Sequence, residues 1–133
     1  GECIMYEFKE EYKIGIDFID EQHKVLFDIA DKTYNLLKNE FIIDKYDKIV
    51  TLIEELQQYA KFHFTAEEEY MKRINYKRMF TQKVAHDAFI KKMNDIDFSK
   101  IDENQDEYIL SILKFLNDWL VEHILKSDKL IGK

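Results

Sequence analysis

Residues 49–74, IVTLIEELQQYAKFHFTAEEEYMKRI, decide the fold of this chain. The run contains neither Gly nor Pro, and its apolar residues recur at the spacing of an amphipathic helix: Ile49, Leu52, Ile53, Leu56, Ala60 and Met71. His63 and Glu67 fall on the same stripe, and residues four apart on a helix point the same way. A buried imidazole and carboxylate must either hydrogen-bond to each other or bind a metal, and this pair alone leaves both interpretations open.

Composition indicates one helical domain spanning residues 1–133. Apolar residues make up 46% and charged residues 35%, with three Gly and no Pro, which favours helices over a sandwich or barrel. The net charge of −7 and the lack of a basic stripe argue against a nucleic-acid surface. No apolar run approaches the ~20 residues of a membrane span. Cys3 is the single cysteine, so we expect no disulfide and a cytoplasmic location. Residues 1–4 precede Met5 and are interpreted as a possible cloning remnant.

Helical periodicity continues along the rest of the chain. An irregular N-terminal arm should pack Tyr6, Phe8 and Tyr12 onto the helices. We predict helices over residues 19–38, from an N-cap at Asp44 to residue 74, over 78–95 and over 107–130, with a polar loop at 97–106. Short connections between long helices imply antiparallel neighbours. The predicted fold is therefore all-α, an up-down-up-down four-helix bundle with an irregular N-terminal arm.

Each predicted helix carries one histidine on its apolar stripe. These four are the only histidines of the chain: His23, His63, His86 and His123. One such residue is usually a hydrogen-bonded core histidine, but one on every helix, with Glu67 nearby, favours a metal site. Imidazole suits zinc, copper and iron, and bundle cores assemble metal sites from facing helices. Glu-x-x-His pairs are missing, which argues against a ferritin-like carboxylate site.

Asp128 does not fit regular helix geometry. It follows His123 by five residues, which places the two about 140° apart on a straight α-helix. Asp128 could therefore reach the core only where the last turn is frayed or widened. Taken alone, it would be interpreted as a solvated residue at the end of a helix.

The motifs together resemble a known family. IGIDFIDEQHKVLF around His23, HFTAEEEYM around His63, HDAF around His86 and WLVEHILKSD around His123 are similar to those of the bacteriohemerythrins. These are the bacterial branch of the hemerythrin-like, oxygen-binding non-haem diiron proteins. The resemblance covers residues 5–129, and a His followed by an Asp five residues later on the last helix is part of the family pattern.

The resemblance implies a cofactor and a set of ligands. Two non-haem irons with an oxo or hydroxo bridge would bind, one through His23 and His63 and the other through His86 and His123. Glu67 and Asp128 would bridge the two irons, and O2 would be the ligand. The positions that match the family's apolar oxygen pocket are Leu26, Phe64, Trp119, Leu120 and Ile124.

The chain departs from the family at one position. The family has a fifth histidine four residues before His86, where this chain has Gln82, in the sequence QKVAH. The iron bound by His86 and His123 would then lack one imidazole. Gln82 could offer its amide oxygen as a weaker ligand, or it could leave the position to water.

Three classes of function follow from these observations. The leading hypothesis is an O2-binding protein for storage, delivery or sensing. The alternative is a diiron protein with enzyme-like activity, in which the more open iron supports peroxide, NO or oxidase chemistry. A helical bundle without metal is the third. The sequence leaves the oligomeric state open, and a monomer is compatible with it.

Overall fold

The computed structural model describes residues 4–133, which form an irregular N-terminal arm followed by helices with short connections. Four long helices build the molecule: α1 (Asp17–Lys38), α2 (Lys45–Arg73), α3 (Met79–Asn94) and α5 (Asp106–His123). A short helix, α4 (Phe98–Asp102), precedes α5, and a π-turn (Ile124–Asp128) and α6 (Lys129–Ile131) follow it. The interpretation of residues 1–4 and of Cys3 concerns positions that, except for Ile4, lie outside the described residues.

The long helices form the predicted four-helix bundle. Helix α1 packs against α2 and α5, and α2 packs against α3. The apolar stripes face inward and are closed to solvent, including Ile19, Leu26, Ile53, Leu56, Phe89, Ile109 and Leu116. Within residues 4–133, no helix is both long enough and apolar enough to cross a membrane.

The N-terminal arm packs on the bundle through its aromatic residues, as predicted. The ring of Tyr12 stacks on Phe27 with centroids 5.6 Å apart, and Phe8 lies 5.8 Å from the same ring. Tyr6 meets Tyr34 edge-on at 5.8 Å. A single 3-10 turn at Glu10–Tyr12 gives this otherwise irregular segment its bend.

The prediction of a loop at residues 97–106 was wrong, because helix α4 lies within that segment. The Asp97 carboxylate accepts a hydrogen bond from the Ser99 backbone N–H at 3.0 Å, which caps the helix. Ile101 is completely buried in the core. Phe98 and Ile101 are three residues apart and therefore lie on the same side of one helical turn. This short apolar pattern was missed because most of its neighbours are charged or polar.

Two predicted details at helix ends differ from the structure, although the second helix begins where it was predicted to. Asp44 stands at the N-cap of α2, but its side chain makes no capping hydrogen bond and instead pairs with Lys48 at 3.6 Å. The last helix is not a continuous α-helix over residues 107–130, because the π-turn interrupts it after His123. This wider turn is the feature that the spacing of His123 and Asp128 required.

Asp20 ties the N-terminal arm to the start of α1. Its Oδ1 accepts a hydrogen bond from the Ile14 N–H at 2.8 Å, and its Oδ2 accepts one from the Gly15 N–H at 3.2 Å. We expect Asp20→Ala to lower the unfolding free energy by about 1–3 kcal/mol, since it leaves two N–H groups unpaired at a covered position. Urea unfolding measures the loss. The exposed Asp17, changed to Ala, is the control, and equal losses in the two variants would contradict this role.

Candidate metal centre

Six side chains, contributed by the four long helices and the π-turn, converge on one interior site. None of the six is more than 8% exposed: His23, His63, Glu67, His86, His123 and Asp128. Helix α1 supplies one histidine, α2 supplies the His63 and Glu67 pair, and α3 and α5 supply one histidine each. The predicted convergence of the four histidines is confirmed by this arrangement.

Glu67 divides its two oxygens between the two pairs of histidines. Its Oε2 lies 3.3 Å from His63 Nε2 and 3.7 Å from His23 Nε2. Its Oε1 lies 3.2 Å from His86 Nε2. The carboxylate therefore spans two adjacent groups of ligands, as a bridge between two cations would.

Asp128 repeats this division from the opposite side. Its Oδ2 lies 3.2 Å from His23 Nε2, and its Oδ1 lies 3.3 Å from His123 Nε2. The π-turn makes this possible, because its wider winding brings a residue five positions after His123 back to the inner face. Only 1% of the Asp128 surface is exposed, so interpreting it as a solvated helix end is wrong.

Several donor atoms of the site face one another without forming hydrogen bonds, whereas the Nε2 atoms of His86 and His123 lie 3.3 Å apart in hydrogen-bonding geometry. Both oxygens of Glu67 and the Nε2 atoms of His23 and His63 are buried and lack a hydrogen-bond partner among the described residues. Two donors that each lie about 2.1 Å from one ion are about 3.0–3.4 Å apart, close to the spacings seen here. Two groups could each hold an ion, one of His23, His63 and Glu67 and one of Glu67, His86, His123 and Asp128. Imidazole and carboxylate donors suit iron, so the residues fit a pair of iron ions.

The electrostatics of the site also call for bound positive charge. Burial opposes the ionised form of Glu67, but the rings of His23, His63 and His86, whose Nε2 atoms lie 3.2–3.7 Å from its oxygens, hold its pKa well below the usual value. Burial likewise opposes protonation of His23, yet Asp128 and Glu67 raise its pKa to about 9. Without a metal, a proton on His23 therefore supplies part of the positive charge that two buried carboxylates require.

Two outer partners orient the histidine rings, and the sequence analysis missed both. His63 Nδ1 donates to Gln22 Oε1 at 2.8 Å, and His86 Nδ1 donates to Glu68 Oε2 at 2.8 Å. Each bond fixes the Nδ1–H tautomer, so that the Nε2 lone pair points into the site. In the sequence, Gln22 and Glu68 are adjacent to His23 and Glu67. This adjacency does not indicate toward which histidine either side chain points.

Glu68 is expected to strengthen His86 as a ligand. A carboxylate on the outer nitrogen raises the basicity of the ring, and loss of such a partner typically costs ~10–100-fold in metal affinity. We therefore expect Glu68→Gln to weaken the binding of an iron at the position that His86 lines by about tenfold, measured by competition with a chelator. Glu69→Gln, at an exposed neighbouring position, is the control, and equal iron affinity in both variants would contradict the role of Glu68.

Gln82 lies at the edge of the site with a buried side chain. Its Nε2 donates a hydrogen bond to Asp128 Oδ1 at 3.1 Å, while its Oε1 is buried without a hydrogen-bond partner among the described residues. The amide therefore contacts the Asp128 carboxylate directly, and its carbonyl oxygen still requires a proton donor or a cation.

The residues predicted to form the oxygen pocket are covered by the bundle. Leu26, Phe64, Leu120 and Ile124 are buried, and Trp119 is partly buried. The Phe64 ring stacks on His86 with centroids 4.1 Å apart, and Trp119 stacks on His123 at 4.5 Å. These two aromatic rings therefore pack directly against imidazoles of the site and cover one face of each.

Comparison with known proteins gives a consistent result. Residues 14–133 match the family model described as Hemerythrin HHE cation binding domain. The chain is 51% identical to a bacteriohemerythrin of Clostridium acetobutylicum over 94% of this chain and 97% of that protein. It is 30% identical to a myohemerythrin of Theromyzon tessulatum over 92% and 88% of the two chains.

Solved structures agree with the sequence relatives. The structure superposes on a crystal structure of wild-type hemerythrin with a TM-score of 0.74 and 28% identity, covering 90% of this chain and 88% of that one. The family match spans most of the chain and includes all six converging side chains. The chain therefore belongs to the hemerythrin family of non-haem diiron oxygen-binding proteins.

Proposed function

We propose that this chain binds O2 reversibly at a pair of irons held by six side chains. His23 and His63 bind one iron, His86 and His123 bind the other, and Glu67 and Asp128 bridge them. The observation that carries this assignment is the division of each carboxylate, whose two oxygens face different histidines. Family membership supplies the identity of the metal and of the gas.

The carboxylates and the outer partners determine how the site is arranged. Glu67 and Asp128 supply two negative charges that no buried Lys or Arg of residues 4–133 offsets, so they favour cations between the helices. Gln22 and Glu68 accept hydrogen bonds from the Nδ1 atoms of His63 and His86 and so fix the orientation of these two rings. This orientation lowers the reorganisation that metal binding requires.

The apolar residues around the site restrict which molecules reach it. When bound, a reduced iron pair supplies electrons that O2 can accept and return. Leu26, Phe64, Leu120 and Ile124 are closed to solvent and keep water from the part of the site that they cover. An uncharged diatomic gas passes such a lining at little cost, whereas water and ions lose hydration there.

Metal analysis and oxygen titration test this function together. We expect two irons per chain after anaerobic loading, absorption in the near-ultraviolet after oxidation, and a spectrum of the reduced protein that changes with O2 and reverts under vacuum. Steady consumption of O2 would instead favour enzyme-like activity. A chain that binds no iron after loading would contradict the proposal.

We further propose that residues 1–133 form one hemerythrin-like domain that acts without nucleic acid or a membrane surface. The net charge of −7 disfavours contact with the phosphate backbone of nucleic acids, which supports the absence of a nucleic-acid partner. The single cysteine supports a cytoplasmic location, where thiols stay reduced. The sequence leaves the oligomeric state open and is compatible with a monomer, and light scattering of the iron-loaded chain measures its mass.

A further inference from the structure

A cavity of about 80 Å³ lies beside the candidate metal centre, and both Gln82 and His123 border it. The liquid volume of one water is about 30 Å³, so this space accommodates two or three waters or one triatomic ion. Hydroxyl groups of Thr81 and Ser127 also line it. The cavity therefore brings polar surface to the side of the centre where the chain departs from its family.

Gln82 independently indicates that a hydrogen-bond acceptor beside the cavity lacks a partner. The residue is 3% exposed, and its Oε1 is a buried acceptor with no hydrogen-bond partner among the described residues. Its amide nitrogen is already bonded to Asp128, so the amide cannot turn over without placing two acceptors together. A buried amide oxygen of this kind costs free energy until a cation or a proton donor meets it.

The approach to this cavity is basic, although the chain as a whole is acidic. Arg78 and Lys126 line the cavity, and Lys77 lines an adjoining hollow that also reaches Arg78. No Asp or Glu of the described residues lines either space, in a chain with a net charge of −7. Glu122 lines a second adjoining hollow and pairs with Lys126 at 3.1 Å, so the cation of the cavity lining that no carboxylate of residues 4–133 pairs with is Arg78. Such a local excess of positive charge concentrates anions at the mouth of a cleft.

The residues predicted to form the oxygen pocket give the centre a lining of different chemistry. Phe64 and Trp119 stack flat on the rings of His86 and His123, and the other predicted pocket residues are aliphatic. An uncharged gas suits that lining, and an ion does not. The two approaches thus differ in the class of molecule that each admits.

We propose that the cavity beside Gln82 is a binding position for a small anion at the iron bound by His86 and His123. The class is a monovalent ion of up to three heavy atoms, of which a hydroxide or hydroperoxide ion could also donate a hydrogen bond to Gln82 Oε1. This inference rests on the proposed function, because the anion binds at one of the two irons. It adds a second ligand position, with its own polar route from solvent.

Azide is the probe that counts ligand positions. The chain is loaded with iron, oxidised, and titrated with azide, while the charge-transfer absorption and the infrared azide stretch are recorded. We expect two azides per pair of irons in the given sequence and one in Gln82→His, whose imidazole fills the second position. One azide in both proteins, each with two irons bound, would overturn the inference and leave the proposed function intact.

Arg78 supplies a second test that does not depend on the Gln82 variant. Arg78→Gln should weaken azide binding at the second position by about two- to fivefold, the effect of one exposed charge, and leave the first position unchanged. The control is Arg73→Gln, since Arg73 lies over the Tyr70 ring and lines a hollow on another face. Equal azide affinities in the two arginine variants would contradict the basic route. Fewer than two irons in the given sequence would contradict the proposed function and this inference with it.

Discussion

Glu67→Ala is expected to remove most of the bound iron. Glu67 is the one side chain that belongs to both groups of described residues able to hold an ion, so its loss weakens both positions at once. Its Oε1 and Oε2 lie 3.2 Å and 3.3 Å from histidines on different helices. No other carboxylate on α2 is fully buried, so no neighbour on that helix can replace it.

The same substitution should also abolish the stabilisation that iron provides. A ligand that binds only the folded chain stabilises it by roughly 2.7 kcal/mol when present at 100 times its dissociation constant. We therefore expect the midpoint of thermal unfolding to rise with iron in the given sequence and to change little in Glu67→Ala. Iron per chain and the unfolding midpoint, each with and without iron, are the measurements.

Two matched variants separate bridging from general effects on charge. Glu67→Gln keeps the shape of the side chain but removes its charge, and we expect it to bind less iron than the given sequence. Glu69→Ala removes an exposed carboxylate two residues away and should change nothing. Two irons retained by Glu67→Ala would show that Glu67 does not bridge the pair.

The helices and the six converging residues could be predicted from the sequence because their signals are local or repeated. The stripe that includes Ile53 and Leu56 defines a helix without help from the rest of the chain. Four histidines on four stripes indicate a shared interior, which the structure confirms. Asp128 is different, because its regular-helix position points away, and only the family pattern predicted that it turns inward.

The features that the sequence did not predict depend on contacts between helices. Glu68 is adjacent to Glu67 on α2, yet its carboxylate reaches His86 on α3, and no pattern within α2 gives that direction. Helix α4 was missed because Ile101 is stabilised by burial in the bundle and has few apolar neighbours in the sequence. In both cases tertiary packing decides an outcome that local propensity leaves open.

Gln82→His is expected to strengthen the binding of the iron that His86 and His123 share. Residues four apart on a helix point the same way, so an imidazole at position 82 would lie beside that of His86 and face the same ion. In the given sequence this place is taken by an amide whose nitrogen contacts Asp128 at 3.1 Å. A neutral amide oxygen is a weaker donor to iron than an imidazole, and the adjoining cavity lets water compete for the position.

The size of the expected gain in iron affinity can be estimated from the affinity that is lost when a hydrogen-bond partner of a metal ligand is removed. Loss of an outer partner of a ligand typically costs ~10–100-fold in affinity, and a directly bound imidazole should matter at least as much, roughly 1.4–2.7 kcal/mol. We therefore expect Gln82→His to bind its second iron about ten- to a hundredfold more tightly. Chelator competition and iron content of the two proteins, prepared in parallel, measure the difference.

The lifetime of the oxygenated protein is the second measurement on this pair. With Gln82, the proposed assignment gives each iron two histidines and both carboxylates, so the two positions would be nearly alike, and the polar cavity borders one of them. Water and anions that enter there favour oxidation to the diferric state, so we expect the oxygenated form to decay faster in the given sequence than in Gln82→His. Val84→Ala, on the exposed side of α3, is the matched control. Equal iron affinity and equal lifetimes in the given sequence and in Gln82→His would contradict this prediction. They would show that the amide oxygen of Gln82 replaces the imidazole fully and that two histidines per iron suffice for oxygen binding in this chain.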